Sequence, residues 1–344
     1  MQAERAILLW SAILLMALAQ DASAATLRTL HVFCPHQSGA GCTKGMDPTG
    51  PLTLDQDGNL YGTTVGGGPA SGTGTVFQMW RSPENKLRYR FLYGFCKHKD
   101  CSDGSQPLGK LIVDTSGNIY GTTSVWGSGA FCCRGGGEGG TVFKLTPDGV
   151  LTTLYDFCNE GGTACTDGYT PYTGLTYAGA ESGVPYDGVS PLYGTTEFGG
   201  AHGGGNVFVL TPVPGASGWQ RTTIYDFCAQ TACADGASPM ALTMDGAGDL
   251  IGATIGGGAG HEAYGTVFKL TGSGATWTES VLHSFCLADA RVVDVRVRVE
   301  KLDVEPAAGG VGVEIERQRN AHPAVADLFS WTAAEPSRRR TGPA

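Results

Sequence analysis

Two short stretches hold the side chains best equipped for chemistry. "GHEAYG" places His261, Glu262 and Tyr264 close together, and "WGSGAFCCRGGGEGG" carries Trp126, Arg134 and Glu138. His202 stands in a third glycine-rich stretch. Imidazoles beside carboxylates are the material of general acid–base catalysis or of metal ligation. "HEAYG" does not have the spacing of the helical zinc-protease motif. Its glycine-rich surroundings predict a loop. The plainer reading of all seven residues is a set of solvated loop side chains able to contact a ligand. They are kept as ligand-binding candidates, with no catalytic residue, metal site or cofactor assigned.

The cysteines offer a second chemistry. The chain has 11 of them, a number that in an exported protein invites pairing. Five blade ends close with Phe-Cys: Cys34, Cys96, Cys158, Cys228 and Cys286. Four of these are trailed within a few residues by Cys42, Cys101, Cys165 and Cys233, the last three in "C-x-D-G". The expected disulfides are Cys34 with Cys42, Cys96 with Cys101, Cys158 with Cys165, and Cys228 with Cys233. Zinc is a weak alternative, because the clusters lack histidine at ligand spacing and each pair is isolated. Bridges closing such small loops contribute at most about 2 to 3 kcal/mol each, and act locally. Cys132, Cys133 and Cys286 stay open: a vicinal bridge and a bond to Cys286 fit equally.

The elements that must carry these residues are repetitive. "GNLYGTT" from Gly58 returns as "GNIYGTT" from Gly117, "PLYGTT" from Pro191 and "GDLIGAT" from Gly248. Measured at Tyr61, Tyr120, Tyr193 and Ile251, the spacings are 59, 73 and 58, the long one containing "AGAESGVPYDGVS" from Ala178. A motif used several times at long intervals is scaffold. Each unit offers four short apolar segments bounded by Gly, Asp, Asn or Pro, which read as strands. In the second unit these are Leu111 to Val113, Ile119 to Thr123, Gly140 to Leu145 and Val150 to Phe157. Four antiparallel strands in some 50 to 60 residues is the arithmetic of a β-propeller blade. The "D-x-x-G-N" stretches suit tight hairpin turns. "DQDGN" from Asp55 has an incomplete calcium-loop spacing, so its oxygens are expected to serve the turn. Glycine inside the second strand predicts a close approach there, with packing of one blade on the next as the expected cause.

Composition narrows the function classes. The chain has 344 residues, 54 of them glycine, with 16% charged residues and a net charge of -9. Low charge with high glycine favours turns and strands. The acidic balance and the lack of a basic cluster before the last few residues argue against nucleic acid. At the N-terminus, Arg5, an apolar run from Ala6 to Ala19 and the small residues Ala22, Ser23 and Ala24 read as a signal peptide over residues 1–24. The run is shorter than the ~20 residues a bilayer demands. The mature chain is therefore expected to be exported, periplasmic or secreted, without a membrane span.

Units of the form D-x-x-G-N-[LI]-Y-G-T-T, a glycine-rich gap, then G-T-V-F-x-L resemble the GloVer repeats of the choice-of-anchor tandem-repeat proteins, over roughly Cys42 to Cys286. The resemblance implies an exported bacterial repeat protein and no settled activity. The C-terminal part departs from the family, since no anchor is read there. After Cys286 the signatures "C-x-D-G", "YGTT" and "GTVF" all stop. The organisation expected is an all-β, β-propeller-like domain over 25–286 with four four-stranded blades, in units of about 42–96, 101–158, 165–228 and 233–286. The ring is either incomplete or five-bladed. A divergent or disordered tail of 287–344 follows.

Blade topology puts the loop between the second and third strands on the same face as the connection between blades. The glycine-rich loops and the disulfide loops thus share a face, and loops on a rigid scaffold carry function. The first strands, with Leu52, Leu111, Leu175 and Leu242, are expected to give the central channel a packed lining. The functional expectation is a non-catalytic binding module for carbohydrate or protein. The alternative is a propeller hydrolase or lyase acting on a sugar or lactone.

Overall fold

The computed structural model describes residues 27–35, 41–69, 72–97, 100–128, 138–215, 218–260, 263–274, 276–286, 297–299 and 313–315. The signal-peptide segment, Arg134, Cys132, Cys133, His261, Glu262 and most of the tail lie outside these residues. Among the described residues there is no α-helix.

Four antiparallel meanders follow one another along the chain. The first blade is β1 (Thr53–Leu54), β2 (Leu60–Thr64), β3 (Thr75–Arg81) and β4 (Leu87–Gly94). The second is β5 (Ile112–Val113), β6 (Ile119–Val125), β7 (Glu138–Leu145) and β8 (Leu151–Asp156). The third is β9 (Leu192–Thr196), β10 (Asn206–Pro212) and β11 (Trp219–Asp226), its inner strand reduced to the bridge between Thr176 and Tyr193. The fourth is β12 (Ala237–Met244), β13 (Leu250–Gly256), β14 (Ala263–Ser273) and β15 (Thr276–Cys286). In the tail, β16 (Val297–Val299) pairs antiparallel with β17 (Val313–Ile315). The fold is all-β and β-propeller-like, with four blades.

Three apolar clusters join successive blades. Tyr61, Val76 and Phe95 of the first blade's side meet Leu111, Ile119 and Phe143 of the second. Tyr120, Val142 and Phe157 meet Leu175, Leu192 and Phe208. Val207 and Phe227 meet Met244, Leu250 and Phe268. Each phenylalanine buried this way contributes about 1.5 to 3 kcal/mol, so the blade faces, rather than any one sheet, form the core.

The repeated glycine of the second strand is explained inside the blade. Gly62, Gly121, Gly194 and Gly252 sit opposite Phe77, Phe143, Phe208 and Phe268 in the sheet register. A Cβ on Gly121 would fall 2.7 Å from the Phe143 ring and 2.7 Å from the Leu111 Cδ2. The neighbour that requires glycine is therefore the cross-strand phenylalanine of the same blade, and not the adjoining blade as the sequence led us to expect.

The polar repeats close tight local networks. Asp114 Oδ1 accepts from the backbone N–H groups of Ser116 and Asn118, and its Oδ2 accepts from Asn118 Nδ2 and Tyr120 Oη. Asp55 does the same with Asp57, Asn59 and Tyr61. These oxygens serve the turn. In the fourth blade the asparagine and tyrosine become Asp249 and Ile251, and Lys269 pairs with Asp245 and Asp249 at 3.5 and 2.7 Å.

Disulfides link Cys34 with Cys42, Cys96 with Cys101, Cys158 with Cys165, and Cys228 with Cys233. The aspartate of each "C-x-D-G" clamps the loop that its bridge closes. Asp167 Oδ2 accepts from Tyr155 Oη at 2.9 Å and Asn159 N at 3.0 Å, and its Oδ1 accepts from Glu160 N. Asp103 and Asp235 accept from Tyr93 and Tyr225 in the same way. In the first loop Lys44 replaces the aspartate and His31 replaces the tyrosine; there His31 stacks on Tyr89, whose hydroxyl donates to Lys44 O. Four disulfides indicate an oxidising environment outside the cytoplasm.

Candidate functional site

Two faces compete for a ligand, and the structure separates them. On one face the 2–3 loops meet the disulfide loops. Gly68, Gly127, Gly200 and Gly258 each donate a backbone bond to the carbonyl of Cys42, Cys101, Cys165 and Cys233 in turn. Asp156 and Asp226 tie the same loops to the outer strands by accepting from Ser128 and from Ala201 N.

Of the residues singled out from sequence, Trp126, His202 and Tyr264 lie on or beside these loops. Trp126 is 36% exposed and Tyr264 57% exposed, and His202 is exposed as well. Glu138 opens β7 opposite Val125 and is described in its backbone alone. Arg134, His261 and Glu262 fall outside the described residues. No hydrogen bond or ring contact joins Trp126, His202 and Tyr264 among the described residues. Phe198, exposed like Trp126 and tilted against Tyr169 at 5.4 Å, adds an aromatic ring that sequence reasoning passed over.

Trp126 has a distinctive backbone. Its φ is +63°, and Gly67, Gly199 and Gly257 hold the matching positions at +76°, +76° and +70°. A bulky residue in the left-handed region is strained. Its carbonyl accepts from Gly140 N at 2.5 Å, which fixes the chain there.

The other candidate is a cavity of about 840 Å³ along the inner strands. Thr53, Lys110, Tyr172, Thr176 and Ala241 represent the four blades in its wall. Leu111, Leu175 and Leu242 border it too. Leu111 and Leu175 are 2% and 7% exposed, packed over the glycines of the second strands, and Leu52 is half exposed. The lining is therefore packed at Leu111 and Leu175, as expected, and the channel it borders is open space. Thr53 Oγ1 donates to Leu111 O at 2.7 Å and Thr122 Oγ1 to Thr173 O at 2.9 Å, stitching neighbouring blades together near the axis.

One rim of the cavity is made by the 1–2 turns, Asp55 to Asp57 and Asp114 to Thr115, together with the insertion of the third blade. That insertion is well anchored. Tyr186 is fully buried against Tyr120, ring centroids 5.1 Å apart, and its hydroxyl donates to Ser190 O at 2.6 Å. Thr115 N donates to Tyr186 O, which fastens the insertion to the second blade. Asp187 accepts from the Ser190 hydroxyl and from the Val189 and Ser190 N–H groups, and these bonds hold its carboxyl below the usual carboxylate range. At the far side Glu181 Oε1 accepts from Thr243 Oγ1 of the fourth blade at 2.5 Å. The sequence signal for all this was the long second spacing, which marked an insertion without showing where it folds.

Among the described residues no group of three or more His, Cys, Asp or Glu is placed to hold a metal ion. Among the same described residues no helix is long and apolar enough to cross a membrane.

Comparisons with known proteins add the following. No curated protein matches the chain. An endo-arabinase from Bacteroides thetaiotaomicron is similar at 9% identity and a TM-score of 0.38, covering 70% of this chain and 83% of that one. A xylan β-1,4-xylosidase from Bacillus halodurans is similar at 14% identity and 0.37, over 70% of this chain and 46% of its own length. A levansucrase variant from B. megaterium is similar at 11% and 0.35, over 72% and 70%. The model of the Gloeobacter/Verrucomicrobia repeat matches residues 19–190, half of the sequence and two of its four blades, and the chain belongs to that repeat family.

Proposed function

We propose that this protein is an exported, non-catalytic module that binds a carbohydrate in its central cavity. The observation that carries the reading is the cavity itself, about 840 Å³ and walled by the inner strands of all four blades. Sites for small ligands are concave and largely pre-formed, with a few polar groups placed to orient the ligand. The wall offers hydroxyls from Thr53, Thr173, Thr176 and Tyr172 beside apolar surface from Leu54, Val184 and Met240. Such a mixture suits the polar edge and the apolar face of a sugar ring. Binding is favoured over turnover because Asp55 and Asp114, two of the carboxylates in the wall, spend their oxygens on turn N–H groups and tyrosine hydroxyls. Export is supported by the N-terminal residues 1–24 and by the disulfides. It places the ligand in the periplasm or outside the cell.

A second reading, docking of a protein or glycan on the loop face, is favoured by the exposed rings of Trp126, Phe198 and Tyr264. A glycan array probed with the mature protein tests both readings. Leu54 is 65% exposed and borders the cavity, so Leu54→Trp should block cavity binding without disturbing the core. Trp126→Ala should leave it intact. Loss through Trp126→Ala alone would move the site to the loop face, and conversion of a glycan or lactone to product would replace binding with hydrolysis or lyase chemistry.

A further inference from the structure

The third blade differs from the others at one place, the link between its inner and second strands. The first, second and fourth blades close there with short turns built on Asp55, Asp114 and Asp245. The third uses the long segment from Ala178 to Ser190, and this segment crosses the cavity rim from the second blade to the fourth. One end is fixed by a buried tyrosine, the other by the contact between Glu181 and Thr243. Glu181 is exposed, borders the cavity and has one oxygen committed to Thr243. Its other oxygen is available to accept from a ligand.

We propose that Glu181 is the specificity-determining residue of the cavity, selecting neutral sugars with adjacent hydroxyls and rejecting anionic glycans, and that Thr243 is its positioning residue. This rests on the reading of the cavity as a carbohydrate site. A carboxylate accepts hydrogen bonds from a diol and donates none, and bonds to a charged acceptor are stronger than neutral ones. A uronic acid or sulfated sugar brought to the same rim meets like charge from Glu181 and from Asp57. Lys110 is the basic residue in the same wall. Holding the carboxylate through the Thr243 hydroxyl removes rotamer freedom before the ligand arrives, which is where preorganisation gains affinity.

The test measures binding of the mature protein to matched neutral and uronic-acid oligosaccharides, with Leu54→Trp, Glu181→Gln, Thr243→Val and Thr243→Ser beside the wild type. Glu181→Gln should weaken neutral-sugar binding by about tenfold or more and narrow the gap between neutral and acidic ligands. Thr243→Val should lose part of that affinity and Thr243→Ser should restore it, a rescue that a merely structural role for the methyl group would not give. If wild type and Leu54→Trp bind equally, or neither binds, the cavity reading fails and this inference with it. If Leu54→Trp abolishes binding and Glu181→Gln changes neither affinity nor charge preference, the cavity stands and the role of Glu181 is overturned.

Discussion

Phe95 and Phe143 meet edge-on with ring centroids 5.1 Å apart, and the same contact recurs at every described junction between blades. Phe157 meets Phe208 at 5.1 Å and Phe227 meets Phe268 at 4.8 Å. Phe33, from the segment before the first blade, meets Phe77 at 5.0 Å. Phe33, Phe95, Phe157 and Phe227, each ahead of a bridged cysteine, therefore seat on the phenylalanine of "GTVF" or "GNVF" in the unit that follows. That ring in turn fills the space left by the glycine of "YGTT" or "IGAT". Three motifs far apart in sequence are parts of one joint.

The joint should dominate stability. Phe157→Ala removes a ring that is 1% exposed and leaves a cavity between two blades, so it should cost about 3 to 5 kcal/mol. Phe33 is only partly buried, and Phe33→Ala should cost far less. Urea unfolding of the two variants checks the order, and equal midpoint shifts would show that the joints do not carry the fold.

The "C-x-D-G" aspartates should protect their bridges. Asp167 is fully buried and receives three hydrogen bonds. Asp167→Ala strands the Tyr155 hydroxyl and two backbone N–H groups, for a cost of about 2 to 3 kcal/mol. The loop it clamps should then open more often, so that Cys158–Cys165 is reduced faster by dithiothreitol than Cys228–Cys233. Peptide mapping of partly reduced protein reads this directly, and unchanged rates would separate the aspartate from the bridge.

Most of the scaffold was legible in the sequence because its parts are local and repeated. Strand order and the turns at Asp55 and Asp114 depend on residues within one unit, and each bridge joins the end of one unit to the start of the next across at most eight residues. The partner of Gly121 was misjudged because a sequence shows where a close approach is needed and not what approaches. The cavity was less legible for a related reason. Its wall comes from one strand of each blade, and whether Leu111 fills the axis or turns over Gly121 depends on the pitch of the blades. Glu181 was missed because its position follows from Tyr186 folding back on the second blade, a contact made far along the chain.

Trp126 is predicted to trade stability for exposure. Holding a bulky L-residue at positive φ costs about 1 to 2 kcal/mol, and glycine gives back part of that gain through its greater freedom in the unfolded chain. Trp126→Gly should raise stability by about 0.5 to 1 kcal/mol. The converse change, Gly199→Ala, should lower it, since a Cβ there would lie 2.6 Å from Cys165 O. Thermal melts of both variants decide the matter. A destabilised Trp126→Gly would mean that the indole packs more tightly than its exposure implies.

Glu279 sets a pH dependence. It pairs across the sheet with Leu270, the place that Arg221 takes opposite Leu210 in the third blade. Arg221 lies over the Tyr155 ring, 5.8 Å from its centroid, and its charge is attracted to neighbouring Asp167. Glu279 faces the corresponding pair, Tyr225 and Asp235, with the wrong sign and with a buried oxygen that lacks a partner. Burial first, and then the Asp235 charge, push its carboxyl up to about 7. Between the ordinary carboxylate value of about 4.3 and 7 the folded chain holds a proton that the unfolded chain has lost. Stability therefore falls as pH rises through that window and stays reduced above it. Because the group is partly exposed, solvent screening brings the expected loss down to about 1 kcal/mol. Glu279→Gln should match wild type near pH 4 and exceed it at pH 8. Glu279→Arg should exceed both at pH 8, since it restores the attraction seen at Arg221. Denaturant titrations at pH 4, 6 and 8 measure the gap, and a difference between Glu279→Gln and wild type that stays constant across the three would show that Glu279 does not titrate in this window.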